Sequence, residues 1–288
     1  MMRFWHALPF MDPAEAIALA EASDEAGYDG ITVPDHLFYP KDLKSQYLYS
    51  DDGKPGFTPE SPWPEPWSLI SAMAARTKNI RFTTNVYIAP MRDIFTVAKA
   101  VSTAAVLSNN RVALGVGAGW MREEFDATGQ DFETRGKRLE EMISALRKIW
   151  TGDWAEYHGD HVDFPAIKMS PAPSEPIPIY MGGHSPVAIR RAAGLADGWI
   201  GVDYKLDEAE EIVRKIRARL EKVGRGDEPF EMILALWAHI DADLCRRFEN
   251  MGVTGFMCAP WMFTKDKTVK GRVDATKRFA DEIIAKVR

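Results

Sequence analysis

IPIYMGGHSPVAIRRAAGLADGWIGV, residues Ile177 to Val202, decides the fold. A short apolar run at Ile179 to Met181 stops abruptly at Gly182 and Gly183. A helix then reads from Pro186 to Ala193, and a second apolar run follows at Gly198 to Val202. Strand, helix and strand in that order are the parts of a parallel crossover unit. Glycine at a strand's carboxyl end lets a ligand approach the backbone, and the next helix start offers N–H groups to an anion. RVALGVGAGW, Arg111 to Trp120, ends the same way. Either run alone is most simply a tight turn. Two of them in a chain of repeated units point to a phosphate-bearing cofactor.

Working outward, the same unit recurs from end to end. Arg3 to Leu8 reads as the first strand, with Asp12 as N-cap, Pro13 at N1, Glu15 as the capping-box partner and Gly27 closing the helix. Strands follow at Gly30 to Val33, Arg81 to Asn85 and Val112 to Gly115, with helices at Trp67 to Thr77, Ile94 to Ser108 and Glu133 to Trp150. In the last of these, Leu139, Met142, Ile143, Leu146 and Ile149 form one apolar face. After the opening unit come strands at Gly198 to Val202, Glu231 to Ala238 and Gly255 to Ala259, each followed by a helix, the last spanning Thr268 to Val287. Eight such pairs predict an α/β fold of one domain over residues 1–288, a closed (β/α)8 TIM barrel. An open dinucleotide-binding sheet would carry glycines in its first turn, which here reads LPFMDP. Two insertions interrupt the pattern. Pro34 to Pro66 is a long, aromatic loop after the second strand, and Trp154 to Phe164 reads as a β-hairpin before the fifth.

Composition removes several function classes. The chain has 288 residues, 46% of them hydrophobic, and a net charge of −6 from 36 basic and 42 acidic residues. No basic stripe could follow a nucleic-acid backbone. Cys245 and Cys258 lack the spacing of a zinc site or a disulfide framework. His158 and His161 flank the Gly159-Asp160 turn, which explains them as hairpin shoulders, so no metal is expected. The start MMRFWHALPF is not a signal peptide and no apolar run reaches membrane-spanning length, so a cytoplasmic location is expected.

A barrel of this kind holds its site at the carboxyl ends of its strands. Those ends supply Pro34, Asp35 and His36 after the second strand and Asn85 and Val86 after the third. Gly117, Gly119 and Trp120 follow the fourth, Gly182, Gly183 and His184 the fifth, and Cys258, Pro260 and Trp261 the eighth. A carboxylate, an imidazole, aromatic walls and glycine-lined backbone suit a flat, phosphate-bearing ring. His36 is the leading acid/base candidate because imidazole titrates near neutrality, with Asp35 to tune it and Glu123 as the alternative.

The sequence resembles the bacterial luciferase-like flavin and deazaflavin oxidoreductases over nearly its whole length. GITVPDH at Gly30 to His36, NIRFTTNVYIAP at Asn79 to Pro90, NRVALGVGAGWMREEF at Asn110 to Phe125, RGKRLEEMISALRKIW at Arg135 to Trp150, IPIYMGGHSPVAIRRAA at Ile177 to Ala193 and ADGWI at Ala196 to Ile200 carry the likeness. The long loop, MREEF and GGHS look most like the branch that uses coenzyme F420, a 5-deazaflavin. The resemblance implies a non-prolyl cis peptide at Asn85-Val86 behind the cofactor ring, Asp35 and His36 near its redox edge, and the phosphate at Gly182, Gly183 and His184. Gly117, Gly119 and Trp120 would lie nearby. It also implies hydride transfer between C5 of the cofactor and a small organic substrate, and often a homodimer. Alternatives are an FMN-dependent monooxygenase and a non-catalytic flavin-binding barrel. One departure matters: some deazaflavin-dependent sugar-phosphate dehydrogenases of the family carry a proton-donating glutamate where this chain has Trp120. With Trp63, Trp67, Trp120 and Trp261 as candidate walls and no basic cluster at the strand ends, a fairly apolar substrate is expected. Phe38, Tyr39, Tyr47, Tyr49 and Phe57 would form a lid or a subunit contact.

Overall fold

Ten strands and their helices alternate along the chain in the computed structural model, which describes residues 1–48, 50 and 52–288; Tyr49 lies outside that set. The strands are β1 (Arg3–Ala7), β2 (Gly30–Val33), β3 (Arg81–Thr84), β4 (Val112–Val116), β5 (Ala155–His158), β6 (Asp163–Ile167), β7 (Ile179–Gly182), β8 (Gly198–Tyr204), β9 (Glu231–Leu236) and β10 (Gly255–Cys258). Eight of them pair in parallel in the order β1-β10-β9-β8-β7-β4-β3-β2, and β2 closes the ring on β1. The expected (β/α)8 barrel is therefore present. The inserted hairpin is β5-β6, antiparallel, outside the barrel, with His158 Nδ1 at 2.7 Å from Asp163 Oδ1 across it.

The helices are α1 (Pro13–Ala26), α2 (Pro66–Arg76), α3 (Ile94–Leu107), α4 (Arg122–Ala127), α5 (Arg135–Ile149), α6 (Pro186–Leu195), α7 (Leu206–Lys222), α8 (Ala242–Asn250), α9 (Pro260–Phe263), α10 (Val269–Phe279) and α11 (Ala285–Val287). Local chemistry sets their ends. The Asp12 carboxylate accepts from Ala14 N–H, while Gly27 ends α1 at φ 82°. Glu15, expected to complete a capping box, pairs instead with Arg272 of α10. The apolar face read in α5 is buried at all five positions. Two short helices, α4 and α9, escaped the sequence reading. The single terminal helix expected over residues 268–287 is broken by a π-helical turn at Ala280–Ile284. That turn shifts the register, so Ala280 and Ile284 take the buried positions and Ile283 packs at their margin.

Two layers of core result. Trp5, Ala113, Tyr180, Ile200, Ile233 and Met257 fill the barrel, and a larger shell lies between strands and helices. Both cysteines are buried and unbridged. Among the described residues, no helix is long and apolar enough to cross a membrane.

Candidate active site

The carboxyl ends of β2, β3, β4 and β7 meet at one side of the barrel mouth, and the break in β3 organises them. Asn85-Val86 is a cis peptide, as the resemblance implies. Before the break, Asn85 N–H donates to Val33 O at 2.7 Å; after it, Tyr87 N–H donates to Gly115 O at 2.7 Å. The chain thus leaves β3 and rejoins the sheet beside β4, with Val86 raised between them. The Val86 side chain sits where two neighbouring strands lack side chains. A Cβ built on Gly117 would lie 2.5 Å from Val86 Cγ2, and one on Gly182 would lie 2.8 Å from Cγ1. The sequence reading took these glycines as room for a ligand. What approaches them here is the protein's own valine.

Asp35 anchors the same bulge. Its carboxylate is buried, receives Arg92 through both guanidinium nitrogens at 2.8 Å, and accepts from Ile88 N–H at 2.9 Å. Burial pushes the Asp35 carboxyl above its ordinary range, against the pull of Arg92 and Ile88. Burial also works against the Arg92 cation, but Asp35 more than offsets it. Asp35 therefore clamps the segment after Val86 rather than touching the His36 ring.

His36 is held by a different acid. Its Nδ1 lies 3.1 Å from Glu124 Oε2, and Glu124 Oε1 accepts from Leu37 N–H at 2.6 Å. The Glu124 carboxylate is almost fully buried. A carboxylate facing Nδ1 fixes the proton there, which makes Nε2 the reactive nitrogen. Nε2 has no hydrogen-bond partner among the described residues. Glu123, the acid named from sequence, faces the loop instead. It accepts from Lys44 N–H at 2.7 Å, Ser45 N–H at 3.0 Å and the Ser45 hydroxyl at 2.7 Å. Partial burial raises its pKa, yet these donors hold it below the ordinary carboxylate range, so it stays ionised. The two glutamates are neighbours on α4, and the missed helix is why the sequence could not tell them apart. A usable signal was there: Glu124 precedes Phe125 on the buried side.

Aromatic rings complete the site. The His36 ring lies 4.7 Å from Trp63, 5.1 Å from Phe57 and 5.6 Å from Trp120. Phe10, missed in the sequence, packs on Phe57 and Trp63, and Tyr47 packs on Trp120. Tyr39 packs on Phe57 in turn, so Tyr39, Tyr47 and Phe57 all contact rings of their own chain. Trp67 lies away from this group against Tyr87, and Trp261 donates its indole N–H to Ala7 O at 2.9 Å. At β7, Gly183 has φ 104°, a conformation other residues rarely take, and its carbonyl accepts from Trp199 Nε1 at 2.8 Å. His184 is exposed beside it, and Ser185 caps α6 by accepting from Ala188 N–H. Gly119, φ 89°, turns the chain after β4, and Arg135 Nε donates to its carbonyl at 3.1 Å. The glycine turn at the start of a ten-residue helix and the apolar Val86 shelf fit a flat ring bearing a phosphate. Among the described residues no group of three or more His, Cys, Asp or Glu side chains could hold a metal.

The luciferase-like monooxygenase family model matches residues 4–275. The chain belongs to that family. Luciferase-like relatives include an uncharacterised protein of Mycobacterium tuberculosis (strain H37Rv), 37% identical over 99% of this chain and all of that one. The F420-dependent glucose-6-phosphate dehydrogenase of Amycolatopsis mediterranei is 27% identical over 94% of this chain and 78% of its own. Among solved structures, the coenzyme F420-dependent tetrahydromethanopterin reductase of Methanopyrus kandleri superposes with a TM-score of 0.77 at 14% identity, over all of this chain and 99% of that one. The monooxygenase RslO1 of Streptomyces bottropensis gives 0.74 at 16% identity, covering 99% of each chain. These two luciferase-like structures share the fold.

Proposed function

We propose that this luciferase-like protein is a coenzyme F420-dependent oxidoreductase acting on a small, fairly apolar organic substrate. The observation that carries the reading is the His36–Glu124 pair after β2, the strand that pairs with β3 and its Val86 bulge. The dehydrogenase relatives at 27% identity support the deazaflavin over FMN. When bound, the deazaflavin supplies the hydride acceptor or donor at C5.

The chain's own residues do the rest. Val86 would support the ring, with Asn85 beside it. Gly182, Gly183 and His184 would hold the phosphate end, and Gly117, Gly119 and Trp120 would form the adjoining wall. Asp35 keeps the bulge in place through Arg92 and Ile88. Nε2 of His36 takes the substrate's hydroxyl proton in oxidation, or returns it in reduction. Glu124 keeps Nδ1 protonated and stabilises the imidazolium that forms. Phe57, Trp63 and Trp120 exclude water from that proton transfer. Trp120 replaces the acid that sugar-phosphate dehydrogenases of the family carry, which argues against a sugar phosphate.

Replacing His36 with Ala should slow turnover by about 100-fold or more while leaving deazaflavin affinity nearly unchanged. Equal turnover would remove His36 from the reaction. The competing reading, an FMN-dependent monooxygenase, draws on the family's oxygen-using members. Oxygen consumption during turnover separates the two.

A further inference from the structure

His36, the Val86 bulge and the glycine turn occupy the arc β2-β3-β4-β7 of the barrel mouth; β8, β9, β10 and β1 complete the ring. On that second arc the ladder between β8 and β9 carries an extra residue. Gly201 pairs with Leu234 and Tyr204 with Leu236, so three steps along β8 face two along β9. Before the break Ile200 and Val202 belong to the layer that fills the barrel; after it Tyr204 packs in the outer shell. Asp203 lies between them, in a left-handed backbone at φ 62°. Bulges of this kind re-aim side chains and gather at barrel rims beside active sites.

The backbone explains a short residue at 203 but not its charge, since glycine or asparagine takes the left-handed conformation as readily. Among the described residues the Asp203 carboxylate has no ion pair or hydrogen bond. Solvent still reaches the residue, yet the surrounding rim desolvates it enough to raise its carboxyl above the ordinary range, with no cation to pull it back. The next strand end supplies an aromatic face. In β9 Ile233 and Ala235 belong to the barrel layer, and Trp237 is next in that row. Its backbone N–H donates to Tyr204 O at 2.9 Å, which ties it to the residue beside Asp203, and 67% of it is exposed. Met262 and Phe263 on α9, after β10, add exposed apolar surface.

We propose that Asp203 is a specificity-determining residue, its carboxylate pairing with an ammonium group on the substrate while Trp237 lays its indole face against the same group. A carboxylate attracts such a group by its charge and an indole by its quadrupole. The substrate is then an apolar molecule that carries an amine. A sugar phosphate or a carboxylic acid would meet the uncompensated charge of Asp203 and be rejected. The reaction that follows rests on the oxidoreductase reading above, whereas this binding step needs no deazaflavin.

Asp203→Asn removes the charge and keeps the shape. Asp203→Gly removes the carboxylate from a backbone that glycine adopts without strain, so the fold is preserved. Calorimetric titration of cofactor-free wild type with 2-phenylethylammonium, 2-phenylethanol and phenylacetate should rank them in that order. The amine should bind about tenfold tighter than the alcohol, and added salt should narrow the gap. Both variants should bind the amine and the alcohol alike, and Trp237→Leu should keep only part of the preference. If the deazaflavin fails to bind but the amine preference holds in wild type and vanishes in both variants, the cofactor reading falls and this inference stands. If the deazaflavin binds while wild type shows no preference for the amine, or either Asp203 variant retains it, the inference is overturned.

Discussion

His6 shows how far a single residue's surroundings can bend its chemistry. The Ser23 hydroxyl donates to Leu19 O at 2.7 Å, so it accepts from His6 Nδ1, 2.7 Å away, and the buried Nε2 has no partner among the described residues. Burial pushes the His6 pKa down to about 3. Above the unfolded-state value near 6.5 both states are neutral; below it the unfolded chain takes a proton that the native state refuses. Stability should therefore fall with acidification, by ~1.4 kcal/mol per pH unit once below that value. Urea unfolding at pH 7.5 and pH 5 should show a stability loss that shrinks by about 2 kcal/mol in His6→Gln; an unchanged difference would contradict the assignment. Asp35 is the second case. Proximity in sequence to His36 suggested a catalytic partner, yet its contacts are Arg92 and Ile88, more than fifty residues away. No local pattern announces such a pair. Asp35→Asn should cost about 3 kcal/mol in a denaturant titration, because it strands a buried guanidinium, and adding Arg92→Met should recover part of that loss.

At the level of elements, the bulge after β3 is where three strand ends converge. Gly117→Ala should drive a methyl group into Val86 and destabilise the protein by about 1–3 kcal/mol, and Val86→Ala should relieve it in the double variant. A non-additive cycle is expected; strict additivity of the two changes would mean the contact does not matter. The short helix α4 holds two points of the long loop, Glu124 at His36 and Leu37 and Glu123 at Lys44 and Ser45. In Glu123→Gln the Lys44 and Ser45 amides should exchange with solvent about tenfold faster, measured by hydrogen-exchange mass spectrometry, with Leu37 little changed. The main strands and helices were legible because apolar runs, N-caps and closing glycines mark them locally. Helix α4 was not, since six residues carry too little periodicity to stand out. Its loss propagated: without its register, Glu123 and Glu124 are equivalent, and the acid nearest in style to a catalytic group was the wrong neighbour of the imidazole. The glycines at 117 and 182 were read as room for a ligand, but the group packed against them is Val86 from another strand, visible only in three dimensions.

For the molecule as a whole, eight strand-helix units close into a barrel, and membership of the luciferase-like family agrees with that architecture. The fold was readable because it repeats: each unit tests the reading of the one before. The site was readable only in part, since strand ends name the candidate residues while their pairing depends on side chains brought together from β2, α4 and the long loop. The central proposal is that the barrel mouth holds a deazaflavin for hydride transfer. The most direct test is a parallel titration of cofactor-free protein with coenzyme F420 and FMN, following quenching of its nine tryptophans. The account predicts saturable F420 binding with FMN at least ~100-fold weaker, about 2.7 kcal/mol of discrimination. Tighter binding of FMN, or no binding of either, would contradict it.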